Sequence, residues 1–418
     1  MTLTTVAVSA NPLRDPSFTS TARPVGPVAF HRKLPGYCPS PVFDLPDLAR
    51  SLGVGRLLVK DESNRFGLPA FKMLGASWAT YRRLVERLGA EPGPWATLDE
   101  LAELLTPLLP LDLATATDGN HGRAVARLAR LLGLGARIFV PAGTTDARIE
   151  AIRSEGASCT VVDGTYDDAV ARSAEEEAPH CLVVSDTSWP GYDTVPRWVI
   201  DGYATIFAEL DEQLRSASLP DPDVVLVPIG VGALAAAAAD WFRRPALGHP
   251  PRLIGIEPTS ADCVGASARA GHLVEVPGPH RSIMAGLNCG EPSPVAWPIV
   301  APSFDAFAAV DDEVAVAGMA ALAGEGIVSG ESGACTVGLL VAAGAEPLGI
   351  GPDDVVLALS TEGATDPAFY LGAVGLAPDV VAARAPMCAA DLGNSAKVLR
   401  CTVPDCCQPC RATGGTAS

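Results

Sequence analysis

ARIFVPAG at 136–143, SCTVVDG at 158–164 and CLVVSD at 181–186, with helix-spaced runs at 147–156 and 166–178 between them, decide the fold of this chain. Each apolar run is short and closed by Gly, Pro or Asp, as a buried strand is. Strand, helix and strand at these lengths predict parallel βαβ units in a doubly wound α/β sheet. Open α/β sheets bind ligands beyond the carboxyl ends of their strands. The polar segment DTSWPGYDTVPRW, starting at Asp186, falls at such an end.

Just upstream, ATATDGNHG (114–122) leads into the helix-spaced RAVARLARLLG. A polar, glycine-interrupted turn that opens a helix presents free backbone amides to an anionic group. The same pattern also describes an Asp/Asn turn that only caps a helix. Asp118, Asn120 and His121 all fall in it.

Further upstream lies LVKDESNRFGLPAFKM (58–73). Leu57 to Val59 predict a short buried strand, which the charged Lys60 to Glu62 leave, and Gly67 with Pro69 predict a turn. From Ala70 the spacing of Leu74, Trp78, Tyr81 and Leu84 predicts a helix with Lys72 at its N-terminal edge. Burial beside Phe71, Met73 and Leu74, and the positive end of the helix dipole, would lower the pKa of Lys72 and make it a nucleophile. The alternative is an ordinary solvated lysine near a helix start.

Downstream, DVVLVPIGVGALAAAAADWF (223–242) predicts a buried strand, a glycine turn and an alanine-rich helix. Gly230 and Gly232 let a ligand approach the backbone, and a helix beginning near Ala233 aims its amides at a phosphate. The third glycine and the acidic residue of a dinucleotide fingerprint are missing, and so is the lysine of a nucleotide P-loop. The loop SIMAGLNCGEPSP, from Ser282, has no purpose legible from its pattern. GIVSGESGACTVGLLVAAG adds a glycine turn and helix, and DVVLALSTEGATDP a last strand ending in the polar turn Ser360 to Asp366. An activated lysine, an anion-binding turn, a glycine cup and a serine at a strand end are what pyridoxal phosphate requires.

The chain as a whole constrains this reading. Its 418 residues are enough for two lobes. A formal net charge of −18 argues against nucleic acid and anionic membrane as partners. The absence of an apolar run of about 18 residues and of a signal-peptide pattern predicts a cytoplasmic protein. Eleven cysteines, an odd count, predict thiols instead of a disulfide framework. Four of them, Cys401, Cys406, Cys407 and Cys410, crowd into a tail expected to be disordered. No metal site is predicted, because that tail has neither a second CxxC pair nor a histidine. Elsewhere TLDE (97–100) has the spacing of a capping box at the start of LDELAELLTPLL.

Lys72 within RFGLPAFKMLGAS, the turn ATDGNHG, the cup GVGAL, the loop IMAGLNCGEPS, and SGESGA with STEGATDP run in order from about Leu34 to Pro378. Together they resemble the diaminopropionate ammonia-lyases, a branch of the fold type II pyridoxal phosphate enzymes that include threonine deaminase, cysteine synthase and the tryptophan synthase β subunit. The resemblance implies two doubly wound α/β lobes with the cofactor in the cleft between them, usually as a homodimer. It divides the matched region into a large cofactor domain at 34–110 and 211–385 and a small α/β domain at 111–210, while Pro-, Ser- and Thr-rich composition predicts an irregular arm at 1–33 and the cysteine-bearing end a disordered tail at 386–418.

The resemblance also implies roles. Lys72 binds the cofactor as an imine and then serves as base and acid at the substrate Cα. Asn120 touches the cofactor's phenolic oxygen, and Gly230, Val231, Gly232, Ala233 and Leu234 hold its phosphate. Ser360 faces the pyridine nitrogen, where a neutral hydroxyl suits β-elimination better than transamination. Asp118 is a second base on the face of Cα opposite Lys72, which would admit both D and L substrates, and Asp186 grips the β-ammonium. The implied reaction is α,β-elimination of ammonia from 2,3-diaminopropionate, a small amino acid, giving pyruvate and ammonia. Two departures, Ala233 where a hydroxyl residue is usual and Ala364 where an acidic one is, leave open a β-replacement enzyme or another amino-acid lyase on the same fold. A catalytically dead, ligand-sensing relative is opposed by intact Lys72, Asn120 and Ser360. Cys263 and Cys289 lie in family-like segments and could sit near each other, both expected as thiols.

Overall fold

The apolar runs form two sheets in a computed structural model that describes residues 6–22, 26–245, 247–384 and 397–399. The strands are β1 (Val6–Ala10), β2 (Val42–Asp44), β3 (Arg56–Asp61), β4 (Asp112–Ala116), β5 (Gly135–Pro141), β6 (Ser158–Val162) and β7 (Cys181–Val183). They continue with β8 (Val224–Pro228), β9 (Arg252–Pro258), β10 (Ala306–Val310), β11 (Val355–Ser360) and β12 (Lys397–Leu399). One sheet has the order β1-β10-β9-β8-β11-β3-β2-β12, the other β6-β5-β4-β7. The five strands β10, β9, β8, β11 and β3 are mutually parallel, and β1, β2 and β12 close the edges antiparallel. The smaller sheet is parallel throughout.

Strands covered by helices on both faces read as unbroken apolar runs, which is why β8 and β11 are buried at every residue. Leu113, Ile138 and Leu182 of the smaller sheet share one contiguous core with Leu58, Val225 and Leu357 of the larger. Among the described residues no helix is long and apolar enough to cross a membrane.

Two glycines set the start of the lysine helix, Met73–Leu88, against the helix Thr194–Ser216. A Cβ on Gly202 would lie 2.6 Å from the Leu74 carbonyl oxygen, and one on Gly75 2.6 Å from the Tyr203 ring. This close crossing fixes the first turn after Lys72.

Three expectations are corrected. Stretch 1–33 is not irregular throughout, because β1 pairs with β10 and Pro27–His31 is a helical turn. His31, which burial holds neutral with a pKa lowered to about 3, donates from Nε2 to the Leu74 carbonyl at 2.9 Å. The arm therefore buttresses the lysine helix. Lys60 to Glu62 do not leave the core either: Lys60 and Asp61 complete β3, and all three residues are buried. Lys60 is met inside by Glu209 at 3.2 Å and Glu62 by Arg65 at 2.7 Å, Arg65 also reaches Glu209 at 2.8 Å, and Asp61 accepts from the Ser63 amide at 3.0 Å. Within the expected tail, Lys397–Leu399 pairs with β2 as β12. Cys401, Cys406, Cys407 and Cys410 lie outside the described residues.

Candidate active site

A cleft with about 700 Å³ of empty space opens where the carboxyl ends of the two sets of strands face each other, and Lys72, Asp118, Asn120, Asp186 and Gly230 to Leu234 all line it. Lys72 Nζ lies 2.8 Å from Asp186 Oδ2, and Tyr166 donates its hydroxyl to Asp186 Oδ1 at 3.1 Å. Burial pushes the Lys72 amine down, as the sequence predicts, but the charge of Asp186, with Tyr203 and Asp118 behind it, outweighs burial. The free amine is held well above its ordinary value, a correction to the expected depression. Burial likewise raises the Asp186 carboxyl, and Lys72 and then His121 pull it well below the usual range. Both partners are therefore ionised.

The turn after β4 takes its shape from Thr117, whose hydroxyl accepts from the Gly119 amide at 2.9 Å and the Gly122 amide at 3.0 Å. The helix Asn120–Leu131 follows. Asp118 Oδ2 is buried and has no hydrogen-bond partner among the described residues. Burial raises the Asp118 carboxyl, opposed by Arg148 and Lys72. Asn120 Nδ2 donates to Glu362 Oε2 at 2.6 Å. His121 anchors Nε2 on the Val184 carbonyl at 2.8 Å, which leaves Nδ1 unpartnered 3.9 Å from Asp186.

Opposite this turn, Gly230 to Leu234 form a backbone cup. A Cβ on Gly230 would lie 2.9 Å from the Gly286 carbonyl oxygen, so a side chain there would close the floor. Gly232, at φ +99°, precedes the helix Ala233–Phe242, which has no side-chain cap. Its first-turn amides lack intrahelical acceptors, and the residues that carry them, Ala233 to Ala235, line the cleft. The loop whose purpose the sequence left open supplies the facing wall, through the short turn Ala285–Leu287. A Cβ on Gly286 would lie 3.3 Å from both Asp118 Oδ2 and Ser332 Oγ, and both atoms are buried and unpartnered. An amide cup, a lysine amine and two orphaned polar atoms around one space fit pyridoxal phosphate with an amino acid beside it.

Ser360 is the predicted residue that the cleft does not include. Its hydroxyl turns away, to Ser329 Oγ at 2.8 Å and Asp61 Oδ1 at 3.4 Å, and the next residue, Thr361, lines the cleft in its place. Sequence reasoning also missed Tyr166, Ser332 and Glu362, all of which line the cleft. Tyr166 was hidden because it opens a helix behind the Thr165 and Asp168 capping box, which reads as purely structural. Cys263 and Cys289 are both free thiols beside Gly230. Cys263 Sγ is 3.9 Å from the Gly230 carbonyl oxygen, and Cys289 Sγ would be 3.3 Å from a Gly230 Cβ. Burial first, then nearby carboxylates, pushes both thiols well above the ordinary value.

Comparison with known proteins agrees with this geometry. A family model described as pyridoxal-phosphate dependent enzyme matches residues 33–362. The diaminopropionate ammonia-lyase of Escherichia coli (strain K12) is 41% identical over 358 residues, covering 82% of this chain and 88% of the relative. The crystal structure of the Escherichia coli diaminopropionate ammonia lyase in complex with D-serine superposes with a TM-score of 0.82 at 37% identity, covering 89% of this chain and 97% of that one. The same enzyme in complex with an aminoacrylate-PLP azomethine reaction intermediate gives 0.80 over the same shares.

Proposed function

The chain belongs to the pyridoxal-phosphate dependent enzymes, and from that premise we propose that it is a carbon–nitrogen lyase that eliminates ammonia from 2,3-diaminopropionate, giving pyruvate and a second ammonia. The observation that carries the reading is the Lys72–Asp186 pair, a buried carboxylate already holding a primary ammonium at 2.8 Å. Once Lys72 is taken up by the cofactor, Asp186 loses the primary ammonium it held at 2.8 Å and keeps only the Tyr166 hydroxyl in hydrogen-bond contact, with His121 Nδ1 3.9 Å away. A buried carboxylate in that state needs a cation. The β-ammonium of diaminopropionate supplies one, whereas a hydroxy-amino acid does not.

Bound pyridoxal phosphate supplies an electron sink conjugated to Cα, which lowers the cost of losing the Cα proton. Gly230 to Leu234 offer the phosphate their backbone amides, and Asn120 offers an amide to the ring. Thr361, in place of Ser360, is the strand-end hydroxyl available to the pyridine nitrogen. Lys72 takes the Cα proton on its side of the cleft, and Asp118 takes it on the other. The electron pair of that C–H bond becomes the Cα–Cβ double bond, and the β-nitrogen departs with its own pair as ammonia. Asp186 holds the β-ammonium until it leaves, and water converts the released enamine to pyruvate and ammonia.

The homodimer reading draws on the family resemblance, and the free thiols of Cys159, Cys181, Cys263, Cys289 and Cys335 accord with a reducing compartment. The deciding test is pyruvate release from D- and L-2,3-diaminopropionate by the holoenzyme, with Lys72→Ala as control. Pyruvate from the wild type alone is the expected result. Bound cofactor without pyruvate from either isomer would sink the substrate assignment while leaving the family intact.

A further inference from the structure

Glu362 is a buried carboxylate, 2% exposed, at the place where three pieces of the cleft wall meet. Its backbone bridges to Ala70 in the loop before Lys72, and its carbonyl accepts from the Gly330 amide at 2.8 Å. With the main chain fixed on both sides, the carboxylate reaches in two directions. Oε2 accepts from Asn120 Nδ2 at 2.6 Å, across from the smaller sheet's turn, and Oε1 accepts from the Ser332 amide at 3.1 Å. Its charge is felt nearby: Glu331, already raised by burial, is pushed by Glu362 up to about 7. No cation is in hydrogen-bond contact with Glu362 among the described residues. A carboxylate kept in this state is costly unless its position does something.

The two ends of an asparagine amide are almost the same shape, so only its neighbours decide which end faces a ligand. A carboxylate can only accept, and Glu362 therefore fixes the NH₂ of Asn120 toward itself and takes one of its two hydrogens. We propose that Glu362 is a positioning residue that locks the Asn120 amide so that its remaining N–H, and not its carbonyl, is presented to the cofactor's phenolic oxygen, while the same carboxylate ties the Ser332 turn to that edge of the cleft. The proposal rests on the family reading for the identity of the ligand. It makes Glu362 act through Asn120, without touching the substrate.

The test reads the cofactor and needs no substrate. Wild type, Glu362→Gln, Asn120→Ala and the double variant are stripped of cofactor and titrated with pyridoxal phosphate, following the visible absorbance of the bound form and thermal melting of the cofactor-free proteins. In Glu362→Gln the neutral amide can present either end to Asn120, so the lock is lost. The dissociation constant is expected to rise about tenfold, the scale of one charge-assisted hydrogen bond. The bound cofactor should also lose visible absorbance to the near ultraviolet, as its phenolic oxygen loses a donor. Asn120→Ala should show the same spectral change, and the double variant no more than either single. A Glu362→Gln protein with wild-type affinity and spectrum overturns the proposal, and so does a double variant whose losses add. If Glu362→Gln melts well below wild type without cofactor, the spectrum of Asn120→Ala decides: a wild-type spectrum there overturns it too. A wild type that binds no pyridoxal phosphate would overturn the family reading instead.

Discussion

Two clusters of buried cations and carboxylates lie along the helix Thr194–Ser216, one beside Glu209 and one beside Tyr203, and they are satisfied to very different degrees. Around β3, Lys60 and Arg65 face Glu62 and Glu209, two cations against two anions, and Arg65 forks onto both carboxylates while Tyr37 and Ser40 take remaining sites. In the cleft, Lys72 faces Asp186 and Asp118, and Asp118 Oδ2, His121 Nδ1 and Ser332 Oγ are buried without hydrogen-bond partners among the described residues. The first cluster is complete without a ligand and the second is not. Burial and charge alone do not mark a functional site; unmet hydrogen-bonding capacity in a cleft does.

The largest expected effects separate the clusters cleanly. Lys72→Met removes the imine-forming amine and the Cα base together, so pyruvate release should fall by about 10⁴-fold or more. Arg65→Met leaves two carboxylates buried beside one lysine and should cost about 3–5 kcal/mol in stability, read by denaturant unfolding. Its folded fraction should still turn substrate over. If Arg65→Met unfolds normally but is inactive, the β3 network belongs to the site and the contrast fails.

A subtler test uses opposite signs in one protein. Asp186→Asn removes the charge that holds the Lys72 ammonium, so the amine's pKa should fall and imine formation at neutral pH should quicken. In wild type the same step should speed up as pH rises, because only the neutral amine reacts. Turnover should move the other way, with KM for diaminopropionate up by about 10–100-fold as the β-ammonium loses its partner. Stopped-flow absorbance and steady-state kinetics read the two quantities separately, and slowing of both would contradict the assignment of Asp186.

The contrast also explains what could be read from the sequence. Lys72, the Asp118–Asn120 turn and the Gly230–Leu234 cup were legible because each is local: a lysine at a helix start, a polar turn, a glycine turn after an apolar strand. Lys60 was misread because its neutralising partner Glu209, which also meets Arg65, is distant in the chain and appears only when the helix packs on β3. Ser360, the last residue of β11, and Thr361, the residue after it, were indistinguishable in sequence, and only the hydrogen bonds of Ser360 to Ser329 and Asp61 show where its hydroxyl goes. Glu362 carried no signal of its own, since its role depends on Asn120 arriving from the other sheet.

Asp118 sharpens the comparison through pH. Its carboxyl is raised by burial and must be ionised to accept a proton, so the isomer it serves should lose activity on acidification at a pH above the ordinary aspartate value. Asp118→Asn should abolish turnover of that isomer and spare the one served by Lys72. Equal loss on both isomers would end the two-face reading.

The smallest expected effect lies in the cup, at Ala233. Ala233 is the first residue of its helix, lines the cleft and is 5% exposed. A serine hydroxyl there would add one donor to a phosphate already facing the first-turn amides, without a charge and with only one added atom to accommodate. One such hydrogen bond is worth about 1 kcal/mol, or roughly a fivefold tighter cofactor, with kcat unchanged because the phosphate takes no part in bond breaking. Equilibrium dialysis of pyridoxal phosphate against Ala233→Ser measures it. Unchanged or weaker binding would mean that the backbone already satisfies the phosphate in the cup, so that within the cleft the unmet hydrogen-bonding capacity lies on the wall bearing Asp118, His121 and Ser332.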